Sequence, residues 1–283
     1  MSVKDRPKLS RGLQDVSRIY LGGTSPQEPV DTGTCRKAAF ERSICVCHPG
    51  APLIQSAFIA NLALECARHR CPVVVRDHAL SEETRLSTLM DSILILDDAH
   101  QGTGHVRLYG LPEILITGPG EEAPEKEECI SGDGSGSPLH DADRLVLINA
   151  PATLDFILDE GPFDEYVLLT ALDEKSLLRC YAYAKTIHAR NVSAGVQVVF
   201  GDTDAVSQGD AVFRRLSGFM QVRLGFMPGY LGGFAPDGHF ERSLAEQRPL
   251  VLLGEASAAK DALTRICSLI IEESSFQERE LRP

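Results

Sequence analysis

The sequence predicts an α/β fold in which a mostly parallel sheet carries helices on both faces. Short apolar runs, such as 72–76 and 144–149, alternate along most of the chain with longer segments of helical periodicity. Parallel strands are buried on both faces and are therefore continuously apolar, as these runs are. The chain has 283 residues, of which 43% are hydrophobic, and this is enough for one large domain.

The first half of the chain begins with a strand, a turn and a helix. The apolar run 43–48 predicts the strand, and Pro49, Gly50 and Pro52 are typical of a turn. Helical periodicity over 54–70 predicts the helix. The pattern then predicts a strand at 72–76, a mainly helical segment at 81–97 and a strand at 113–117.

The second half repeats this alternation after a break in composition. Residues 118–143 are dominated by Gly, Pro, Ser and acidic residues, which predicts a surface loop. Apolar runs predict strands at 144–149, 166–170, 196–200, 222–226 and 249–253, and helical periodicity predicts helices at 173–189, 204–220 and 256–273. Repeated strand–helix units favour a parallel sheet, in which ligands bind beyond the carboxyl ends of the strands.

The α/β domain is expected at 43–273, between an N-terminal tail (1–42) and a charged C-terminal tail (274–283). Within the N-terminal tail, segment 11–22 has apolar residues at helical spacing: Leu13, Val16, Ile19, Tyr20 and Leu21. This segment either packs back onto its own domain or docks in a groove of a protein partner, and the pattern leaves both possibilities open.

Composition argues against several classes of function. There are 28 Lys and Arg residues and 40 Asp and Glu residues, so the net charge is −12, which disfavours binding to nucleic acid and to anionic lipid. The N-terminus lacks a signal peptide and no apolar run could span a bilayer, so we expect a cytoplasmic protein without stable membrane insertion. The eight Cys residues are scattered and are typical of free thiols in a reducing compartment.

Segment 43–61 has the layout of a phosphate-binding loop, in which a strand, a Gly/Pro turn and a helix start converge on an anion. Such a loop needs glycines for close backbone approach, a Lys on the phosphates and a Ser or Thr on Mg²⁺. Ser56 stands in its expected place, but Gln55 occupies the Lys position. The candidate nucleotide-binding positions in the loop are Gly50, Ala51, Pro52, Leu53, Ile54, Gln55 and Ser56.

About four-fifths of the chain, from Ser43 to Ile271, resembles the MinD/ParA family of dimerising ATPases, which includes the flagellar-number regulators. HPGAPLIQSAFIANLAL is similar to the family's deviant phosphate loop and helix, and PVVVRD to its second strand, which ends here in Asp77. RLVLINAP resembles the strand of the Asp-x-Pro signature, and LGFMPG resembles the Gly-x-x-Pro turn. The resemblance implies a phosphate-loop NTPase-like fold of the MinD/ParA type and makes a homodimer possible.

The residues that the family uses for nucleotide chemistry are largely replaced. Gly50 stands at the Lys that reaches across the dimer, Gln55 at the second Lys, and Asn149 at the Asp of the Asp-x-Pro signature. His78 takes the place next to the acid of the second strand, and Phe200 with the following Gly replaces an adenine-reading Asn. Loss of both Lys removes the main cationic stabilisation of phosphoryl transfer. The comparison therefore implies lost hydrolysis, and we assign no catalytic residue.

Cys45, Cys47 and His48 are a second group of side chains that could bind a metal or act as a nucleophile and a base. A metal site would need a fourth ligand and an open strand end. Alternation along a strand places the two Cys side chains on one buried face and points Cys47 and His48 to opposite faces. We therefore expect neither a metal site nor a nucleophile–base pair.

These observations lead to one main hypothesis and two alternatives. The main hypothesis is a pseudo-ATPase that serves, without a cofactor, as a scaffold or regulator in positioning or assembling a larger apparatus. The first alternative is a divergent switch that depends on ATP and Mg²⁺. The second is a heterodimer in which a paralogous ATPase subunit supplies the catalytic residues.

Overall fold

The computed structural model describes residues 41–91, 93–96, 104–106, 111–112, 114–118, 144–201 and 205–280. Segment 11–22, with its five apolar residues, and most of the predicted loop 118–143 lie outside the described residues. The expectations for these two segments therefore stay predictions.

The described residues form strands and helices in regular alternation. The strands are β1 (Glu41–Cys47), β2 (Val73–Asp77), β3 (Leu94–Leu96), β4 (Gly104–Val106), β5 (Ile114–Thr117), β6 (Arg144–Asn149), β7 (Glu165–Thr170), β8 (Gly195–Phe200) and β9 (Gly229–Gly233). The helices are α1 (Pro52–Arg68), α2 (Leu86–Leu89), α3 (Leu154–Glu160), α4 (Glu174–Arg190), α5 (Ala205–Leu224), α6 (Gly238–Ala245) and α7 (Ala258–Glu280). Short 3₁₀ turns occur at Glu82–Thr84 and Leu250–Leu252.

Within the described residues, one sheet has the strand order β3-β4-β5-β2-β6-β1-β7-β8-β9. The seven strands from β5 to β9 in this order pair in parallel. Strand β4 is the exception, because it pairs antiparallel with both β3 and β5. The predicted fold class, a mostly parallel sheet with helices, is confirmed.

Apolar residues alternate between the two faces of the sheet and build a core on each. In β1, Ile44 and Val46 pack in the core that includes α1 and α7, and Cys45 and Cys47 pack in the core that includes α3 and α4. Helix α1 is buried over most of its length, because it lies between the sheet and its neighbouring helices. Most residues of the central strands are buried because both faces are covered by helices, which explains the continuous apolar runs.

The predicted helix at 81–97 is wrong over most of its length. Residues 82–84 form a 3₁₀ turn, 86–89 form one helical turn, and 94–96 form strand β3. The apolar run 93–96 is short, and such a run does not distinguish a helix from a strand until a pairing partner is known. Strand β4 supplies that partner.

The predicted strand at 222–226 is also wrong. Helix α5 continues to Leu224 and ends before Gly225, whose φ of 81° is the left-handed conformation of a helix-terminating glycine. The next strand, β9, begins later, at Gly229.

The predicted strand at 249–253 is replaced by the 3₁₀ turn Leu250–Leu252. Side chains of α1 bind both backbone groups of Val251 in this turn. Asn61 Oδ1 accepts a hydrogen bond from Val251 N at 3.0 Å, and Arg68 donates to the Val251 carbonyl at 2.7 Å. The segment therefore packs beside α1 and not in the sheet.

The amino end of the sheet holds a buried ion pair. Arg42, near the start of β1, pairs with Glu165 at the start of β7, and both residues are about 5% exposed or less. The Arg42 guanidinium also donates to the carbonyl oxygen of Ile270 in α7 at 2.7 Å. This contact ties the two central strands to the last helix.

Candidate functional site

The loop of residues 48–51 connects β1 to α1 at the carboxyl end of the sheet. Pro52 occupies the first position of α1, where the absence of an N–H is tolerated and the fixed φ favours a helix. Ala51 caps the helix without a side-chain hydrogen bond. The strand, loop and helix start are thus arranged as in an anion-binding loop.

His48 provides the acceptor for the N–H groups of this loop. Its Nδ1 accepts hydrogen bonds from Gly50 N at 3.2 Å and from Ala51 N at 3.0 Å. Burial lowers the pKa of His48 to about 4, so the imidazole is neutral and carries its proton on Nε2. Two N–H groups that a phosphate would need are therefore already bound to a side chain of the loop itself.

Gln55 fills the space in which a phosphate loop has its Lys side chain. Its Oε1 accepts from the backbone N of His48 at 2.5 Å. Its Nε2 donates to Asn149 Oδ1 at 2.8 Å and to the Ala150 carbonyl at 2.6 Å, which uses both of its N–H groups. Gln55 is 1% exposed and its amide joins the loop to the end of β6.

Asn149 continues the network from β6 to β2. Its Nδ2 donates to Ser56 Oγ at 2.9 Å and to Asp77 Oδ1 at 2.8 Å. Asp77 in turn accepts from the backbone N–H groups of Ala79 at 3.1 Å and Leu86 at 2.7 Å, which anchors the segment after β2. The buried network thus links three neighbouring strands, β1, β6 and β2, through side-chain amides and one carboxylate.

The site residues present do not fit Mg²⁺ and a nucleotide. Both N–H groups of the Gln55 amide are engaged, and it contributes no positive charge where a phosphate loop has its Lys. The Asn149 amide directs an N–H group at the Asp77 carboxylate, where Mg²⁺ would need oxygen ligands. Binding of a metal–nucleotide complex would require several of these buried hydrogen bonds to break.

Two further side chains lie at the carboxyl end of the sheet. The His78 ring packs 4.8 Å from the Phe156 ring, and burial lowers the pKa of His78 below its usual value. The guanidinium of Arg179, on α4, donates to the Pro49 carbonyl at 3.1 Å. Arg179 therefore places a positive charge on the outer side of the loop, against a backbone carbonyl.

The thiols of Cys45 and Cys47 lie together below the loop. Their Sγ atoms are 3.6 Å apart on one buried face, as strand alternation predicted, and burial raises the pKa of Cys45 well above its usual value. A high thiol pKa makes Cys45 a poor metal ligand and a poor nucleophile. In the part of the chain that the structure describes, no three His, Cys, Asp or Glu side chains are grouped as a metal site.

The structure places the sequence-predicted positions as follows. It brings Gln55, Ser56, Asp77 and Asn149 into one hydrogen-bonded cluster. Gly50, Ala51 and Pro52 line the loop, whereas Leu53 is exposed and Ile54 packs against the first core. The function of His48 as the loop's acceptor was not predicted. A polar acceptor two and three residues before the loop N–H groups, as in an Asx turn, was the signal that could have revealed it.

Several solved structures have the same fold. The chain superposes on a chain of the MinC:MinD cell division protein complex of Aquifex aeolicus with a TM-score of 0.58 and 11% identity, over 82% of this chain and 96% of that one. MinD of Pyrococcus horikoshii OT3, complexed with Mg-ADP, gives 0.57 and 13% identity, over 84% and 98%. A ParA family ATPase from Chlorobium tepidum TLS gives 0.53 and 14% identity, over 81% and 98%.

These similarities establish a phosphate-loop α/β fold of the MinD/ParA type. No protein-family model and no curated protein sequence matches the chain. Among the described residues, no helix is both long and apolar enough to cross a membrane.

Proposed function

We propose that this protein is a MinD/ParA-like pseudo-ATPase that acts as a scaffold or regulator through protein partners. The observation that carries the proposal is the closed network of His48, Gln55, Asn149, Ser56 and Asp77. It occupies the groups with which this fold binds phosphate, so the domain keeps its architecture without its usual ligand.

The network also shows how the loop is stabilised with Gln55 at the position where a phosphate loop has its Lys. Removing one buried polar group normally leaves its partners unsatisfied at a cost of about 1–3 kcal/mol each. Gln55 and Asn149 satisfy one another and the backbone, which stabilises the loop in one conformation. A loop held in this way is suited to present a constant surface and not to cycle between nucleotide states.

The partner is proposed to be a protein. The similar Aquifex structure is a complex of MinD with MinC, which shows that this architecture can carry a bound protein in that case. For the present chain, a second copy or a paralogous ATPase subunit is the alternative protein partner.

Thermal unfolding with and without nucleotide tests the proposal. A ligand at about 100 times its Kd adds about 2.7 kcal/mol, which is a shift of a few degrees for a domain of this size. We expect no shift of Tm with millimolar Mg²⁺-ATP or Mg²⁺-ADP, with a nucleotide-binding MinD protein as positive control. A shift of several degrees that Ser56→Ala abolishes would overturn the proposal.

A variant that restores charged groups to the loop makes the test of nucleotide binding more specific. In Gln55→Lys/Asn149→Asp, the positive charge of the Lys and the oxygens of a second acid replace the amide pair. We expect this variant to be less stable than wild type without ligand and to gain a Tm shift with Mg²⁺-ATP. The matched control is Gln55→Met/Asn149→Leu, which also breaks the amide pair but supplies no charge and should gain no shift.

A divergent ATP switch is the second candidate, and one observation favours it. Arg179 places a guanidinium against the loop, where it could assist phosphate binding if the loop opened. This candidate requires nucleotide binding by the wild-type protein, alone or with its partner, and predicts that Arg179→Ala weakens that binding.

A further inference from the structure

The outward faces of α4 and α5 meet in one surface. The rings of Tyr181 and Phe219 lie 5.2 Å apart, so the two helices are in contact there. Residues three, four or seven positions away from these rings lie on the same helix faces. We call this surface the α4–α5 face, and it comprises Leu178, Tyr181, Lys185, Arg215, Phe219, Val222 and Arg223.

This face exposes large apolar side chains next to one another. Val222 is 81% exposed, Leu178 is 61% exposed and Phe219 is 48% exposed. Single exposed apolar residues are ordinary, but the contact between Tyr181 and Phe219 brings the two helices together, and Leu178 and Val222 lie one helical turn from these rings. Contiguous exposed apolar groups on two packed helices are typical of a protein interaction surface.

The same face is basic in an acidic protein. Helices α4 and α5 carry seven Lys and Arg residues and two acidic residues, so their net charge is +5, whereas the whole chain has −12. On the α4–α5 face, the exposed side chains of Lys185 and Arg215 lie one helical turn from Tyr181 and Phe219, and the Arg223 guanidinium lies 5.7 Å from the centre of the Phe219 ring. The positive charge is thus concentrated around the exposed apolar group.

We propose that the α4–α5 face binds an acidic, amphipathic helical segment of a protein partner. The apolar side chains of such a helix, at positions i, i+3 and i+4, would pack against Leu178, Phe219 and Val222. Its acidic flanks would pair with the surrounding basic groups, and this complementarity would set its orientation and exclude basic segments. The inference rests on the proposed function only for the premise that the partner is a protein, since this surface does not include the loop.

An anionic membrane is the competing occupant of a surface that is both basic and apolar. An interfacial helix inserts freely projecting apolar side chains over a broad face. Here the Tyr181 ring is half-buried against Phe219, and the Phe219 ring is in turn covered by Arg223. The net charge of −12 of the whole chain also disfavours an anionic lipid surface, so an acidic helix is the occupant that we propose.

Site-specific photo-cross-linking in the native cell tests the proposal. The photoreactive residue p-benzoylphenylalanine replaces Val222 in the full-length protein, and cross-linked peptides are sequenced by mass spectrometry. The matched control places it at Leu80, which is equally exposed (79%) but lies after β2, outside this face. We expect position 222, and not position 80, to capture a peptide of another protein with net negative charge and helical apolar periodicity.

Charge reversal provides the second measurement. Lys185→Glu/Arg215→Glu should reduce the cross-linked yield at position 222 about tenfold, because attraction at two sites becomes repulsion. Arg248→Glu/Arg265→Glu changes the net charge equally at exposed positions elsewhere and should leave the yield unchanged.

Four outcomes would overturn the proposal. These are capture of phospholipid, capture of a second copy of this chain or of its own residues 11–22, capture of basic peptides only, and equal capture at positions 222 and 80. None of these outcomes depends on nucleotide binding, so failure of this inference and failure of the pseudo-ATPase proposal are separately visible.

Discussion

The two ends of the central strands differ in how they bury polar groups. At the amino end, Arg42 and Glu165 form a buried ion pair between β1 and β7. At the carboxyl end, where parallel sheets bind ligands, Gln55 and Asn149 form a buried pair of neutral amides. The amino end thus keeps a full positive charge in the interior, and the carboxyl end has neutral amides, one of them at the position of the Lys of a phosphate-binding loop.

The difference indicates which end is built for stability. A buried charge needs a fixed partner, and Arg42 has Glu165 and the Ile270 carbonyl as permanent partners. A buried Lys at position 55 would need a negatively charged partner. The groups that are hydrogen-bonded to Gln55 are two backbone groups and the neutral amide of Asn149. Neutral amides that satisfy each other are the stable solution when no ligand supplies the opposite charge.

The largest expected effect is at the amino end. Arg42→Met leaves the Glu165 carboxylate buried without its guanidinium, and we expect the free energy of unfolding to fall by about 3–5 kcal/mol. Urea-induced unfolding measures this change. The control is Arg144→Met, which removes a pair with Glu41 at 2.9 Å that is partly exposed and should cost less than about 1 kcal/mol.

A double variant tests, in the same experiment, whether the lost stability comes from burying one charge of the pair without the other. Arg42→Met/Glu165→Leu removes both buried charges and should recover most of the lost stability, because no unpaired charge remains. If the single variant were as stable as wild type, the ion pair would not stabilise this end, and the contrast between the two ends would fail.

An intermediate effect is expected at the carboxyl end. Asn149→Asp places a second carboxylate where the amide now donates to Asp77 at 2.8 Å, so a hydrogen bond becomes a like-charge contact. We expect a loss of about 2–3 kcal/mol in urea unfolding at pH 7. Added Mg²⁺ should recover part of this loss in the variant and change nothing in wild type. A variant that is as stable as wild type without Mg²⁺ would contradict the proposed network.

The smallest effect is a dependence of stability on pH at His48. Its pKa falls from 6.5 to about 4 on folding because of burial, so the unfolded chain binds more protons between these two values. Stability from this group is complete above pH 6.5 and decreases as the pH falls towards 4. We expect a loss of about 1 kcal/mol between pH 7 and pH 5.5 from this group.

A substitution isolates that contribution. In His48→Asn, the Oδ1 atom can accept from the same two N–H groups but does not titrate. Urea unfolding of this variant at both pH values should show a loss smaller by about 1 kcal/mol than in wild type. An unchanged difference between the two pH values would mean that His48 does not govern this dependence.

Local patterns identified most of the fold because the central strands are short, apolar and buried on both faces. The strands at 144–149 and 166–170 and the helix at 173–189 agree with β6, β7 and α4 within one residue at each end. The errors fall where a partner decides the conformation. Residues 94–96 form a strand through pairing with β4, and Val251 stays out of the sheet because Asn61 and Arg68 bind its backbone.

The sequence located the candidate site, but it did not predict which groups the side chains of the site bind. The order of motifs places Gln55, Ser56, Asp77 and Asn149 at the carboxyl ends of adjacent strands in any parallel sheet of this order. Whether Gln55 points at solvent, at a ligand or at Asn149 depends on distances between strands that are remote in sequence. The sequence analysis therefore identified the missing charges, and the structure showed which groups take their place.

The sequence by itself determined the α/β class, the position of the loop and the replacement of both loop Lys residues, because these follow from local periodicity and residue identity. Only the tertiary structure decided that the loop N–H groups bind His48, that two amides join β6 to α1, and that apolar and basic residues of α4 and α5 form one surface. The physical reason is that hydrogen bonds and side-chain contacts depend on separations of a few ångströms between segments that are far apart in the sequence, 95 residues for Gln55 and Ala150 and 228 for Arg42 and Ile270. Local patterns contain no information on those separations.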